Sequence, residues 1–216
     1  MKKTILALII MTLAVSTAFG QEKKQPPVIS APAGRAPSDA VVLLDGSNLN
    51  EWIHPDGSPA KWALEGGAMV VVAKTGGLMT KREFGDMQLH LEFATPSTVV
   101  GEGQGRGNSG VYLQGIYEVQ VLDSYENETY PDGMLGAIYL QHIPLVNAAR
   151  KPGEWQTYDM IFRAPRLDSA GNVVRKAMVT VILNGVIIQD HVEIAPTPGG
   201  PREKEAPKGP IFLQDH

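Results

Sequence analysis

Residues 117–122 read Tyr-Glu-Val-Gln-Val-Leu, an alternation of polar and apolar positions. Successive side chains of a strand point to opposite faces. Glu118 and Gln120 therefore share one face, and Val119 and Val121 share the other. The run before it, Asn108-Ser109-Gly110-Val111-Tyr112-Leu113, is β-patterned too. The apolar face suits a core, and a face carrying an acid beside an amide suits a sugar-binding groove. The same reasoning predicts strands over 68–73, 87–94, 109–113, 117–122, 155–164, 177–183 and 186–194. The clearest local signal is Asn184-Gly185 between Val179–Leu183 and Val186–Ile188, the signature of a tight hairpin. No long stretch keeps a 3.6-residue period, so no helix is predicted. Gly and Pro clusters between short strands point to an all-β fold, a sandwich or jelly roll of two antiparallel sheets.

Composition changes this picture mainly at the N-terminus. Lys2 and Lys3, the apolar run Ile5 to Val15 and the small-x-small site Ala18-Phe19-Gly20 predict a cleaved signal peptide over 1–20, with Gln21 as the mature start. The apolar run is shorter than the roughly 20 residues of a membrane span. Residues 21–40 hold Pro26, Pro27, Pro32 and Pro37 and read as a linker, ahead of a single domain over 41–216. The expected location is periplasmic or secreted, with no stable membrane span after cleavage. The chain has no cysteine, so no disulfide framework is available. Its formal charge is −4 and no basic stripe appears, which argues against a nucleic-acid partner. Val99 to Gly107 holds four glycines, but no helix follows it, so it does not read as a phosphate cradle.

Several motifs occur in order along the chain. Leu43-Leu44-Asp45-Gly46 precedes Leu49 and Trp52; Leu89, Glu92 and Phe93 follow; then come Asn108-Ser109-Gly110-Val111 and Tyr117 to Asp123. Gly136-Ala137-Ile138-Tyr139, Gly153-Glu154-Trp155, Leu183-Asn184-Gly185 and Leu213-Gln214-Asp215-His216 complete the series. From about residue 41 to the end the chain resembles the 3-keto-disaccharide hydrolase domain family. The resemblance implies a concanavalin-like jelly roll with a concave polar groove. It also implies periplasmic cleavage of glycosides oxidised to a ketone at C3. Related members divide the work between a lyase and a hydratase. Chains of this family continue past the Leu-Gln-Asp-His motif into a further strand, so an edge lacking its closing C-terminal strand is expected here.

A C3 ketone acidifies the hydrogen on C2, so the chemistry needs a base near C2, a donor at the ketone oxygen and an acid for the leaving oxygen. Glu118 is the first candidate base, with Gln120 beside it as a donor to the sugar. A neighbouring strand that brought Glu92 to Glu118 would pair two carboxylates. Asp123 belongs to the opposite face of a regular strand and reaches the groove only if the strand bulges or ends. Asn108, Tyr139, His142, Gln214 and His216 complete the candidate substrate-binding set, with Gly110 leaving room for a ligand at the backbone. Trp155 reads as a core residue. None of the five histidines has the close spacing of a helical zinc motif. A divalent cation held by carboxylates and His would stabilise an enolate, and no ligand set is assigned to it. The enzymatic rival is laminarinase-like hydrolysis, whose Glu, Asp and Glu at i, i+2 and i+5 fall on Glu118, Gln120 and Asp123. That mechanism needs two carboxyls about 5–5.5 Å apart. A non-catalytic, lectin-like glycan-binding module is the rival from another class.

Overall fold

The structure, a computed structural model, describes residues 24–216. The expected signal peptide over 1–20 and the start of the linker lie outside the described residues. The chain divides into two units, Met1–Val41 and Val42–His216. Described residues of the first unit form no strand or helix. Among the described residues no helix is long and apolar enough to cross a membrane.

The second unit contains thirteen strands: β1 Trp52–Ile53, β2 Ala63–Glu65, β3 Ala68–Val70, β4 Leu78–Thr80, β5 Met87–Phe93, β6 Asn108–Leu113, β7 Tyr117–Leu122, β8 Gln156–Arg163, β9 Arg166–Leu167, β10 Val173–Arg175, β11 Ala177–Leu183, β12 Val186–Ile194 and β13 Phe212–Leu213. They form a five-stranded sheet, β1-β4-β13-β6-β7, and a four-stranded sheet, β12-β11-β8-β5, with two small ribbons, β2-β3 and β9-β10. All strand pairs are antiparallel. This is the expected all-β jelly-roll sandwich. Two 3₁₀ turns, Gly103–Gly105 and Pro131–Gly133, are the helical elements of the described residues.

The alternation read from the sequence decides the core. Val111, Leu113, Tyr117, Val119 and Val121 of the five-stranded sheet pack against Tyr158, Met160, Phe162, Val179, Val181 and Ile188 of the four-stranded one. Tyr158 is fully buried, and its hydroxyl donates across the core to the Gln120 carbonyl at 2.7 Å. A smaller cluster of Trp52, Trp62 and Leu78 collects Leu43 and Leu49 around it. The Trp52 indole donates to the Leu43 carbonyl at 2.7 Å, which gives the Leu-Leu-Asp-Gly…Trp motif a packing role.

The hairpin forms as predicted. Leu183 pairs with Val186, and Asn184 and Gly185 both take positive φ, 53° and 83°, as a type I′ turn requires. The Asn184 side chain is held on both sides. Its Oδ1 accepts from the Thr157 N–H at 3.0 Å, and its Nδ2 donates to Ala148 O at 2.8 Å and Gln156 Oε1 at 3.2 Å.

Two segments place the site. The apolar run at 211–213 does not lie at an edge: β13 inserts between β4 and β6. Asp215 then accepts from the Gly76 N–H at 2.8 Å, and the Gln214 N–H donates to Gly110 O at 3.0 Å. At the outer edge of β7 the backbone is paired with 136–139. Gln120 N–H donates to Ala137 O, Gly136 N–H to Gln120 O, and Tyr139 N–H to Glu118 O, at 3.0, 3.0 and 3.3 Å. That edge is therefore covered.

Candidate active site

The polar face of β6 and β7 forms the floor of a cleft of about 160 Å³. Opposite residues of an antiparallel pair share a face, so the register Tyr112↔Glu118 and Gly110↔Gln120 sets these four side by side. Tyr130, Tyr139, Pro198 and the tail residues Gln214 and His216 wall the cleft, together with Gln104 and Asn108.

Glu118 is 3% exposed. No Lys or Arg among the described residues lies within ion-pair distance of it. Burial pushes its carboxyl up to about 7, and hydrogen bonding from Tyr112 opposes this only in part. The absent side chain of Gly110 is used by the protein itself. A methyl group there would collide with the Glu118 carboxylate and press on the Tyr112 ring. Burial and the adjacent Glu118 hold the Tyr112 phenol far above its usual range, and its hydroxyl, engaged with Glu118, also lies 3.3 Å from Pro198 O. The Gln120 amide donates to Gln104 Oε1 at 3.2 Å and Gly133 O at 3.3 Å. Its own oxygen is buried without a partner. The Asn108 amide donates to Gln104 O at 3.1 Å, and the Tyr130 and Tyr139 hydroxyls are 2.8 Å apart.

Six of the residues selected from the sequence thus meet in one cleft: Glu118, Gln120, Asn108, Tyr139, Gln214 and His216. Three do not. Glu92 lies on the exposed outer face of the four-stranded sheet, across the core from Glu118, so the two carboxylates are not a pair. β7 ends at Leu122 and Asp123 turns away from the cleft. It is buried against Arg106 at 3.2 Å and accepts from the Tyr125 N–H at 3.3 Å. His142 holds its Nε2 at 2.7 Å from the Glu193 carbonyl and does not line the cleft. Trp155, read as core, is 53% exposed, because Gln156 and Tyr158 take the inward phase of β8.

The sequence reading missed Tyr112, Tyr130, Gln104 and Pro198. Alternation from Gly110 could have found Tyr112. Tyr130 and Pro198 come from loops, where no period marks the inward side. Gln104 rides on the Gly-rich segment 99–107, anchored by its amide to Thr129 Oγ1 and Gly133 O, both at 2.8 Å.

A family described as the 3-keto-alpha-glucoside-1,2-lyase-like domain matches residues 39–216. The chain belongs to this family. A crystal structure from Parabacteroides distasonis, of a candidate glycosyl hydrolase, is 46% identical with a TM-score of 0.85, covering 90% of this chain and 86% of that one. A second candidate glycosyl hydrolase from the same organism is 16% identical with a TM-score of 0.60, covering 82% of this chain and 87% of that one, and is similar in fold alone. No curated protein matches the chain. Family membership makes the protein a carbohydrate-active one. For this lyase-like family member, the described residues contain no group of three or more His, Asp or Glu arranged to hold a metal. The cleft brings only Glu118 and His216 of those types together. The cation considered from the sequence thus has no preformed ligand set among these residues.

Proposed function

We propose that this protein cleaves 3-keto-glycosides and that Glu118 is the base. One observation carries the reading: a single side-chain carboxyl, buried and without an ion-pair partner, forms the floor of a polar cleft, and burial pushes it up to about 7. Such a group is ionised in useful amounts at neutral pH yet keeps its basicity. The C3 ketone acidifies the C2 hydrogen. Glu118 takes that proton, and the C2–H electron pair forms an enolate whose charge rests on the ketone oxygen. The enolate collapses to C1=C2, expelling the C1 oxygen with its bonding electrons, and that oxygen gains a proton to leave as an alcohol. Water then adds across the enone, hydroxyl to C1 and proton to C2, which gives the free 3-keto sugar.

Retaining hydrolysis is less well supported, because it asks for two carboxyls about 5–5.5 Å apart. Glu92 is across the sandwich, Asp123 is bound to Arg106, and the middle position holds the amide of Gln120. Export to the periplasm is part of the proposal and rests on the pattern of residues 1–20. An N-terminus at Gln21 in periplasmic protein would support it, and a retained Met1 would count against it.

The decisive experiment follows a 3-keto-glucoside and its unoxidised parent by NMR in heavy water, with and without a chelator. Cleavage of the keto substrate alone, with deuterium entering C2, supports elimination. Cleavage of the parent favours laminarinase-like hydrolysis. Binding of either sugar without turnover favours a lectin-like module.

A further inference from the structure

Elimination through an enolate needs a donor at the ketone oxygen, and this need often contributes the largest share of catalysis. Most side-chain amide N–H groups of the cleft are already committed, the Gln214 amide and one N–H of Asn108 excepted. Gln120 donates to Gln104 and Gly133, Asn108 to Gln104 O, and Gln104 to Thr129 and Gly133. The Tyr112 hydroxyl is engaged as well, between Glu118 and Pro198 O. Two further phenols of the cleft differ. Tyr130 and Tyr139 share one hydrogen bond of 2.8 Å between their hydroxyls. Two hydroxyls carry two protons and the pair uses one, so one O–H remains to donate. A hydroxyl that accepts a hydrogen bond is a stronger donor in turn.

The pair is held in place from both sides. The Tyr139 N–H donates to Glu118 O, so its ring leaves the backbone beside the proposed base. The Tyr130 ring lies on Gly133, where a methyl group would overlap it. Leu140 N–H to Asp132 O, 2.9 Å, joins the two segments. Burial and the Tyr139 hydroxyl push the Tyr130 phenol up to about 12, so it is protonated at neutral pH.

We propose that the Tyr130–Tyr139 pair donates its free O–H to the C3 carbonyl oxygen of the substrate and stabilises the enolate there. The inference rests on the 3-keto-glycoside reading. In the step, the C2 proton passes to Glu118 while negative charge gathers on O3, which the phenol hydrogen bonds without giving up its proton. The pair is thus the electrophilic wall of the cleft and Glu118 the basic floor.

The test compares wild type with Tyr130→Phe, Tyr139→Phe and the double variant in heavy water. It reads protein-dependent deuterium entry at C2 of free 3-keto-glucose, and cleavage of the phenyl and methyl 3-keto-glucosides. The expected result is a loss of about 10²–10³-fold in the more damaged single variant. Exchange and both cleavages should fall together, and the double variant should fall no further, because the hydroxyls act as a unit. Unchanged exchange, with the methyl glucoside slowed more than the phenyl, would assign the pair to the leaving oxygen and overturn the proposal. A raised KM with unchanged kcat would do the same, leaving only a stacking role. Near-UV circular dichroism checks the fold. Tyr130 is 39% exposed, so Tyr130→Phe carries the test alone if the Tyr139 variant misfolds. Wild type that neither exchanges nor cleaves removes the 3-keto-glycoside reading and this inference with it. Wild type that does both, loses both on Glu118→Gln and keeps both in the Phe variants removes the tyrosine inference alone.

Discussion

The two outer faces of the sandwich are written in the same alternating code and meet opposite fates. On the four-stranded sheet, β5 presents Gln88, His90 and Glu92 to water. There His90 faces Asp159 at 2.7 Å across the strand pair, an exposed contact of the kind that contributes little to stability. On the five-stranded sheet, β7 presents Glu118 and Gln120, and loops close over them until they are 3% and 2% exposed. Alternation therefore assigns sidedness but not shelter. The acid that acquires unusual chemistry is the one that tertiary structure covers, because removal from water is what raises a carboxyl's pKa.

The sharpest way to break this contrast is Glu118→Gln. Turnover should fall by at least about 10³-fold while sugar binding persists, as loss of a transition-state interaction requires. In wild type, kcat/KM should drop about tenfold per pH unit below 7, where the base becomes protonated. Stability should move the other way. The carboxyl's ordinary value is 4.5 and the folded one about 7, so the folded state holds its proton more tightly. The contribution of Glu118 to stability is then greatest below about 4.5 and is lost as the pH rises through 7. Denaturant melts should show the Gln variant gaining up to about 3 kcal/mol on wild type at pH 8 and nothing comparable at pH 4. An unaltered pH profile of melting would mean that Glu118 is not sheltered in solution.

Next in size is Gly110→Ala. The added methyl displaces the Glu118 carboxylate, and a misplacement near 1 Å costs about 10²-fold in rate. Overpacking should add about 1–3 kcal/mol of destabilisation, read by urea titration beside the kinetics. Wild-type kinetics in this variant would show that the glycine does not hold the carboxylate in register. The smallest effect is expected at Glu92→Gln on the open face. Activity should stay within about twofold and stability within about 0.5 kcal/mol; a large kinetic loss there would undo the distinction between the faces.

Much of the frame was legible because it depends on local pattern. The hairpin at Asn184-Gly185 needs two residues tolerant of positive φ, and the sequence supplies them side by side. The β7 alternation correctly separates Val119 and Val121 from Glu118 and Gln120. What could not be read depends on where strands stop and what loops cover. Asp123 stays out of the cleft although β7 ends at Leu122, because Arg106 holds its carboxylate, and Trp155 stays in solvent because Gln156 and Tyr158 take the inward phase of β8. Leu78–Thr80 is too short to show a period, yet it is the strand against which Phe212–Leu213 aligns. Tyr130 and Pro198 reach the cleft by tertiary folding of aperiodic segments, so nothing in their neighbours' polarity announced them.

The Asn184 side chain has a consequence for how this molecule ages. In an unstructured chain, Asn-Gly is the dipeptide most open to attack by the following backbone nitrogen on the side-chain carbonyl, which releases ammonia. Here Thr157, Ala148 and Gln156 hold the amide from both ends, so the carbonyl cannot turn toward its attacker. Deamidation at residue 184 therefore proceeds chiefly in molecules that have opened. Its extent in a stored sample is a clock that runs only while the hairpin is undone.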